Sequence, residues 1–199
     1  AGYTVPFALA DTAGSQDIII NELLFDPLSD GVDYIELYNR SDKVIDLRDL
    51  RFADLDAAGQ PVELYFPAPD GYQLFPGKYL VITSNANTVM RQYISPGKKA
   101  FLETSDMPGM NNDAGRVTLI NKSFTVIDDF YNYAEMQLQL LNSFEGLALE
   151  RINYDRTTQD ADNWHSAAEI AGFGTPGYKN SQYSEFGQSE GEFTIEPAG

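Results

Sequence analysis

The chain has no cysteine among its 199 residues. That excludes disulfides, thiolate metal sites and cysteine nucleophiles, although a domain of this size needs no bridges in any compartment. Its one histidine, His165, cannot alone build a multi-histidine metal centre. No stretch approaches the roughly 20 apolar residues that span a bilayer as a helix. Basic side chains are scarce: 13 Lys and Arg stand against 30 Asp and Glu, a formal charge of −17. A polyanion repels the phosphate backbone whose neutralisation supplies most nucleic-acid affinity, so nucleic acid and anionic membrane surfaces are poor partners. The start Ala1-Gly2-Tyr3 carries neither an initiator Met nor a basic leader, and we expect a piece of a longer protein.

What the chain does have is aromatic residues and turn formers: 12 Tyr, 12 Phe, 10 Pro and 16 Gly. Short strands punctuated by turns are the natural reading. Residues 18–39 organise the rest. Two β-rich runs flank a cluster of Pro27, Ser29, Asp30 and Gly31, which predicts strand, loop, strand. In the second run period-two alternation puts Ile35 and Leu37 on one face, toward a core, and Tyr34, Glu36 and Tyr38 on the other.

Further strands are predicted at 44–47, 50–52, 62–66 and 79–83, the last entered through Phe75-Pro76-Gly77-Lys78 with Pro and Gly placed for a type II turn. Residues 84–115 form an insertion. Ser84 or Asn85 caps a short helix over 87–93, a brief strand covers 100–102, and 107–113 is a loop. A hairpin joins 116–120 to 124–131, a helical turn follows within 134–142, and 146–151 is a last core strand. Pro6 restricts any strand at 3–10 to a sheet edge. We expect a lead at 1–16, a domain at 17–180 and an acidic linker at 181–199, with a strand starting at 192–197, leading to a following domain.

Strands at this spacing argue an all-β sandwich or barrel. Ile20-Asn21-Glu22, Tyr34-Ile35-Glu36-Leu37-Tyr38-Asn39, Ile45-Asp46-Leu47, Phe75-Pro76-Gly77-Lys78-Tyr79-Leu80-Val81, Val126-Ile127-Asp128, Leu149-Glu150-Arg151, Asn163-Trp164 and Gly174-Thr175-Pro176-Gly177 follow one another in this order. In that order they resemble the lamin-tail domain over residues 18–180. The resemblance implies an immunoglobulin-like β-sandwich, here with a long, partly helical insertion, and no catalytic activity. Animal members sit in the nuclear lamina and are linked to nucleic-acid and protein partners, the first of which the acidity here opposes. Bacterial look-alikes occur in secreted or surface proteins, often fused to hydrolases or other immunoglobulin-like modules.

Chemistry-bearing patterns each have a plainer structural counterpart. Residues 172–177 spell G-x-G-x-x-G, but a dinucleotide site needs a parallel strand before it and a helix after it, so we read a turn. Residues 187–191 spell G-x-S-x-G, yet the only histidine precedes the serine instead of following it. His165, beside Trp164, lacks a partner for base catalysis. Glu22, Glu36 and Glu150 are carboxylates of the kind that hydrolyse glycosides in pairs. We expect them to satisfy strand-end hydrogen bonds and ion pairs instead, Glu150 with Arg151. Calcium is possible, since Asp26, Asp30 and Asp33 crowd one loop, Asp54 and Asp56 another, and Asn111, Asn112 and Asp113 a third.

The expected role is therefore a non-catalytic module, a spacer or protein-interaction domain of a larger secreted, periplasmic or surface protein, needing no cofactor. Tyr93, Phe101, Tyr131 and Tyr133 are the candidate contact residues for a protein partner or extracellular glycan. Alternatives are a carbohydrate-binding module, a calcium-binding adhesion domain and an accessory domain of a hydrolase.

Overall fold

The structure, a computed structural model, describes residues 8–138, 140 and 143–185. The 192–197 strand, the G-x-S-x-G string at 187–191, most of the 3–10 strand and part of the 134–142 turn lie outside the described residues. Strand alternation over 18–39 produces β1 (Ile18–Leu24) and β2 (Tyr34–Asn39), paired antiparallel. Apolar positions in β1 change phase, Ile18 and Ile20 giving way to Leu23 and Phe25. A register shift between Ile20 and Glu22 absorbs the change, so Asn21 is the extra residue of a bulge and both pairs reach the same core.

The remaining strands are β3 (Ile45–Asp46), β4 (Leu50–Leu55), β5 (Pro61–Tyr65), β6 (Gln73–Leu74), β7 (Tyr79–Thr83), β8 (Phe101–Glu103), β9 (Ala114–Asn121), β10 (Val126–Tyr133), β11 (Leu149–Arg151) and β12 (Trp164–Ser166). They form a six-stranded sheet β12-β11-β1-β2-β7-β8, a four-stranded sheet β10-β9-β4-β5 and a small β3-β6 pair. Ile35, Leu37, Leu80, Ile82, Leu119 and Leu149 meet in one buried cluster between the two larger sheets, as expected for facing sandwich residues. Phe130 stacks on Trp164 across that core with centroids 3.9 Å apart.

Several local expectations are revised. The 44–47 strand is only two residues long, because Asp46 accepts a hydrogen bond from Arg48 N and caps a 3-10 turn, Leu47–Asp49. The insertion is not separate from the sandwich. Its helix α1 (Ala86–Gln92), capped by Asn85, lies over the outer face of the six-stranded sheet, while β8 joins that sheet parallel to β7. The packed body also outruns 17–180 at both ends. Asp11 N donates to Val44 O and Gln16 N to Ile127 O, while Ser184 N donates to Ile152 O.

A buried ion pair staples the two sheets. Arg151 and Asp128 are both sealed from solvent and 3.3 Å apart. Asp128 Oδ2 also accepts from Ile20 N, and the guanidinium donates to the carbonyls of Asn153, Ile20 and Arg156. Glu150 does not pair with Arg151, because successive strand residues point to opposite faces. Burial pulls the Arg151 pKa down, opposed by the Asp128 charge. Removing one member of such a pair strands the other's charge. Arg151→Ala should therefore lose about 3–5 kcal/mol in urea unfolding, and Arg151→Lys should rescue little, since an ammonium lacks the planar fork.

Candidate functional site

β1, β2 and β11 lie side by side, so Glu22 is directly opposite both Glu36 and Glu150. All three are fully buried on the outer face. The segment 174–182 crosses over them as a strap. Thr175 N donates to Glu22 Oε1 at 2.9 Å, Ser181 Oγ and Gln182 N donate to Glu150 Oε2 at 2.7 and 2.8 Å, and Gly177 N donates to Glu36 Oε2. From beneath, the Tyr34 hydroxyl donates to Glu22 and Asn21 Nδ2 donates to Glu36. Asn180 ties the strap to the bulge by donating to Asn21 O and Arg151 O.

Among the described residues no cation pairs with these carboxyls. The Thr175 hydroxyl lies 2.6 Å from Glu22 Oε2 and 2.7 Å from Glu150 Oε1. It has one proton to give, so a second hydrogen bond needs a carboxyl proton, and Glu22, whose pKa is raised, is the group placed to supply it. Burial first, then the charge of Glu150, pushes Glu22 from 4.5 up to about 8. Burial and then Glu22 raise Glu36 well above the carboxylate range.

The G-x-G-x-x-G string is thus part of this strap and holds no cofactor loop. A Cβ at Gly174 would come within 2.9 Å of the Tyr34 hydroxyl, and Gly177 has φ +95°, a conformation that L side chains rarely adopt. His165 faces Glu150 across the β11–β12 pair, but its Nδ1 lies 2.8 Å from Ser166 O. It lines a hollow of about 180 Å³ that none of the three glutamates enters.

The three loop aspartates do not converge. Asp30 accepts from Gln92 on α1 and Asp26 from Asn112, whereas Asp33 stands half-buried, raised to about 6 by burial and by the charge of Asp26. Among the described residues no three His, Asp or Glu side chains are grouped to hold a metal ion. Asp54 accepts from Tyr65 Oη, and Asp56 caps its own turn through Ala58 N and Gln60 N.

Two of the four candidate contact aromatics belong to the interior. Tyr93 is 6% exposed, packed edge-on against Tyr34 and donating to Gly146 O, and Phe101 is 8% exposed beneath α1. For these two the plainer alternative, ordinary packing beneath the long insertion, is what the structure has. Tyr131 is 49% exposed on β10, the second strand of the hairpin, which runs on to Tyr133, whose ring is 6.2 Å away.

Half-buried aromatics that sequence reasoning missed form a row. Tyr38 stacks on Tyr79 at 4.6 Å and meets Tyr154 at 4.6 Å tilted by 37°, Tyr154 meets Tyr183 at 4.5 Å tilted by 51°, and Lys179 Nζ sits 3.6 Å above Tyr183. The outward phase of Tyr38 was legible. Its register partner Tyr79 and the distant Tyr154 and Tyr183 needed the fold. Tyr79 continues the row into a cleft of about 520 Å³ lined by Tyr72, Tyr178, Lys78 and Lys99.

The two-sheet, largely antiparallel sandwich is that of an immunoglobulin-like β domain. The chain belongs to the lamin-tail family: the model described as Lamin Tail Domain matches residues 11–134. No curated protein matches the sequence. The matched span ends at β10, so β11, β12 and the strap lie beyond it.

Because Glu22 binds its proton more tightly folded than unfolded, its contribution to stability is complete below 4.5 and is lost as pH climbs toward about 8. Calorimetry across that interval should show the melting temperature falling, with a slope of up to about 1.4 kcal/mol per pH unit. Glu22→Gln, which copies the protonated carboxyl, should flatten the slope.

Proposed function

We propose that this lamin-tail domain is a non-catalytic recognition or spacer module of a larger secreted or cell-surface bacterial protein. One observation carries the reading. The carboxyl groups best suited to hydrolysis, Glu22, Glu36 and Glu150, are fully buried and consumed by internal hydrogen bonds, while half-buried aromatic rings remain partly open to solvent. A reacting carboxyl needs contact with substrate, and none of the three has a route to one. The charge of −17 favours an extracellular or protein partner over nucleic acid. A second reading, carbohydrate binding, is favoured by the tyrosine row and the cleft it leads into.

A broad hydrolase screen of the purified domain should give no turnover above buffer. Turnover that Glu22→Gln or Glu150→Gln abolishes would overturn the reading. Labelling of intact cells that make the full-length protein should give a surface signal, and a signal only after lysis would contradict the compartment.

A further inference from the structure

The lysines of this acidic chain are unevenly placed. Lys43 and Lys122 are each bound to an aspartate, Asp17 and Asp49, at 2.7 Å. Lys78, Lys98, Lys99 and Lys179 have no carboxylate partner among the described residues. Lys78 and Lys99 line the 520 Å³ cleft, Lys98 is the immediate neighbour of Lys99, and Lys179 follows the lining residue Tyr178. No aspartate or glutamate lines that cleft, in a chain that has 30 of them. Unneutralised cations gathered at one concave site, against the sign of the whole molecule, call for an anionic ligand.

The rest of the lining narrows its chemistry. Tyr72, Tyr79, Tyr178 and Pro96 give flat or apolar faces, of the kind on which the C–H face of a pyranose ring packs. Tyr72 is held by its hydroxyl, which donates to Lys99 O at 3.3 Å, and Tyr79 by Tyr154 Oη at 2.9 Å. Such rings lose little freedom on binding, which favours recognition by a rigid surface. Beyond Tyr79 the rings of Tyr38, Tyr154 and Tyr183 continue the track, and Lys179, which follows the cleft residue Tyr178 in sequence, lies over the Tyr183 ring. A repeating chain of sugar rings with carboxylates matches that alternation.

We propose that the cleft between β6, β7 and the 96–100 turn, with the adjoining tyrosine row, binds an acidic polysaccharide built of uronic acids. Tyr72, Tyr79 and Tyr178 stack on sugar faces, and Lys78 and Lys99 meet the carboxylates. The inference rests on the carbohydrate-binding reading and adds the charge of the ligand and its site.

Isothermal titration of the whole chain with short oligogalacturonides tests it, alongside their methyl esters and poly-glutamate. The acidic oligomer should bind, more weakly as salt is raised. Lys78→Gln and Lys99→Gln should each weaken binding by about tenfold, the loss of one charge-assisted hydrogen bond, and the methyl ester, which removes the partners of both lysines, should weaken it further. Both lysines are exposed, and Tyr72 bonds only the backbone of Lys99, so these variants keep the fold. Equal binding of the methyl ester would overturn the acidic ligand while leaving carbohydrate recognition standing. Binding of poly-glutamate with none of the oligogalacturonide would assign the cleft to an acidic peptide and overturn the proposal. No binding of any of the three would overturn it together with the carbohydrate reading.

Discussion

Three glutamates on neighbouring strands, all buried and without a cation among the described residues, are the constraint around which this sandwich is arranged. Ionised carboxyls so placed would repel one another in a medium that screens poorly, and each has lost its water. Two devices make the arrangement tolerable. Backbone and hydroxyl donors from the strap replace the water, and at least one carboxyl holds its proton. The strap is consequently a structural element, although it contains no regular secondary structure. Its two close-fitting glycines and Thr175 exist to bring donors down onto the sheet.

The opposite face of the same strands is organised by charge of both signs. Arg151, one residue from Glu150, turns inward to Asp128 and joins the two sheets. A single three-residue strand, β11, therefore supplies a core leucine, a carboxyl for the strap and the cation of the inter-sheet staple. The family match ends before this strand, yet β1 pairs with it directly. Residues past 134 thus complete the six-stranded sheet and cannot be removed without exposing β1 and Glu22.

Much of this was legible in the sequence, and the failures have physical causes. Alternation in 34–39 gave the right faces for Ile35, Leu37, Tyr34 and Glu36, because strand periodicity is local. The Asn85 cap and the Phe75–Lys78 turn were found for the same reason. Which of the aromatics Tyr93, Phe101, Tyr131 and Tyr133 pack beneath the insertion was not legible, because a loop reading says nothing of what lies under it. Burial of the insertion depends on Leu24, Tyr34, Ala148 and Ala167, far away in the chain. Glu150 was matched to Arg151 by adjacency in sequence, where period two makes neighbours diverge. The cleft and the tyrosine row combine residues from 38 to 183, and no local pattern signals such convergence.

The most direct measurement is a carboxyl-carbon NMR titration of glutamate-labelled protein. A proton held between Glu22 and Glu150 requires at least one glutamate resonance to remain that of a neutral acid at neutral pH and to move only near 8. That resonance should be absent in Glu22→Gln. Titration of every glutamate in the ordinary range near 4.5 would contradict a buried, protonated cluster and the role given to the strap.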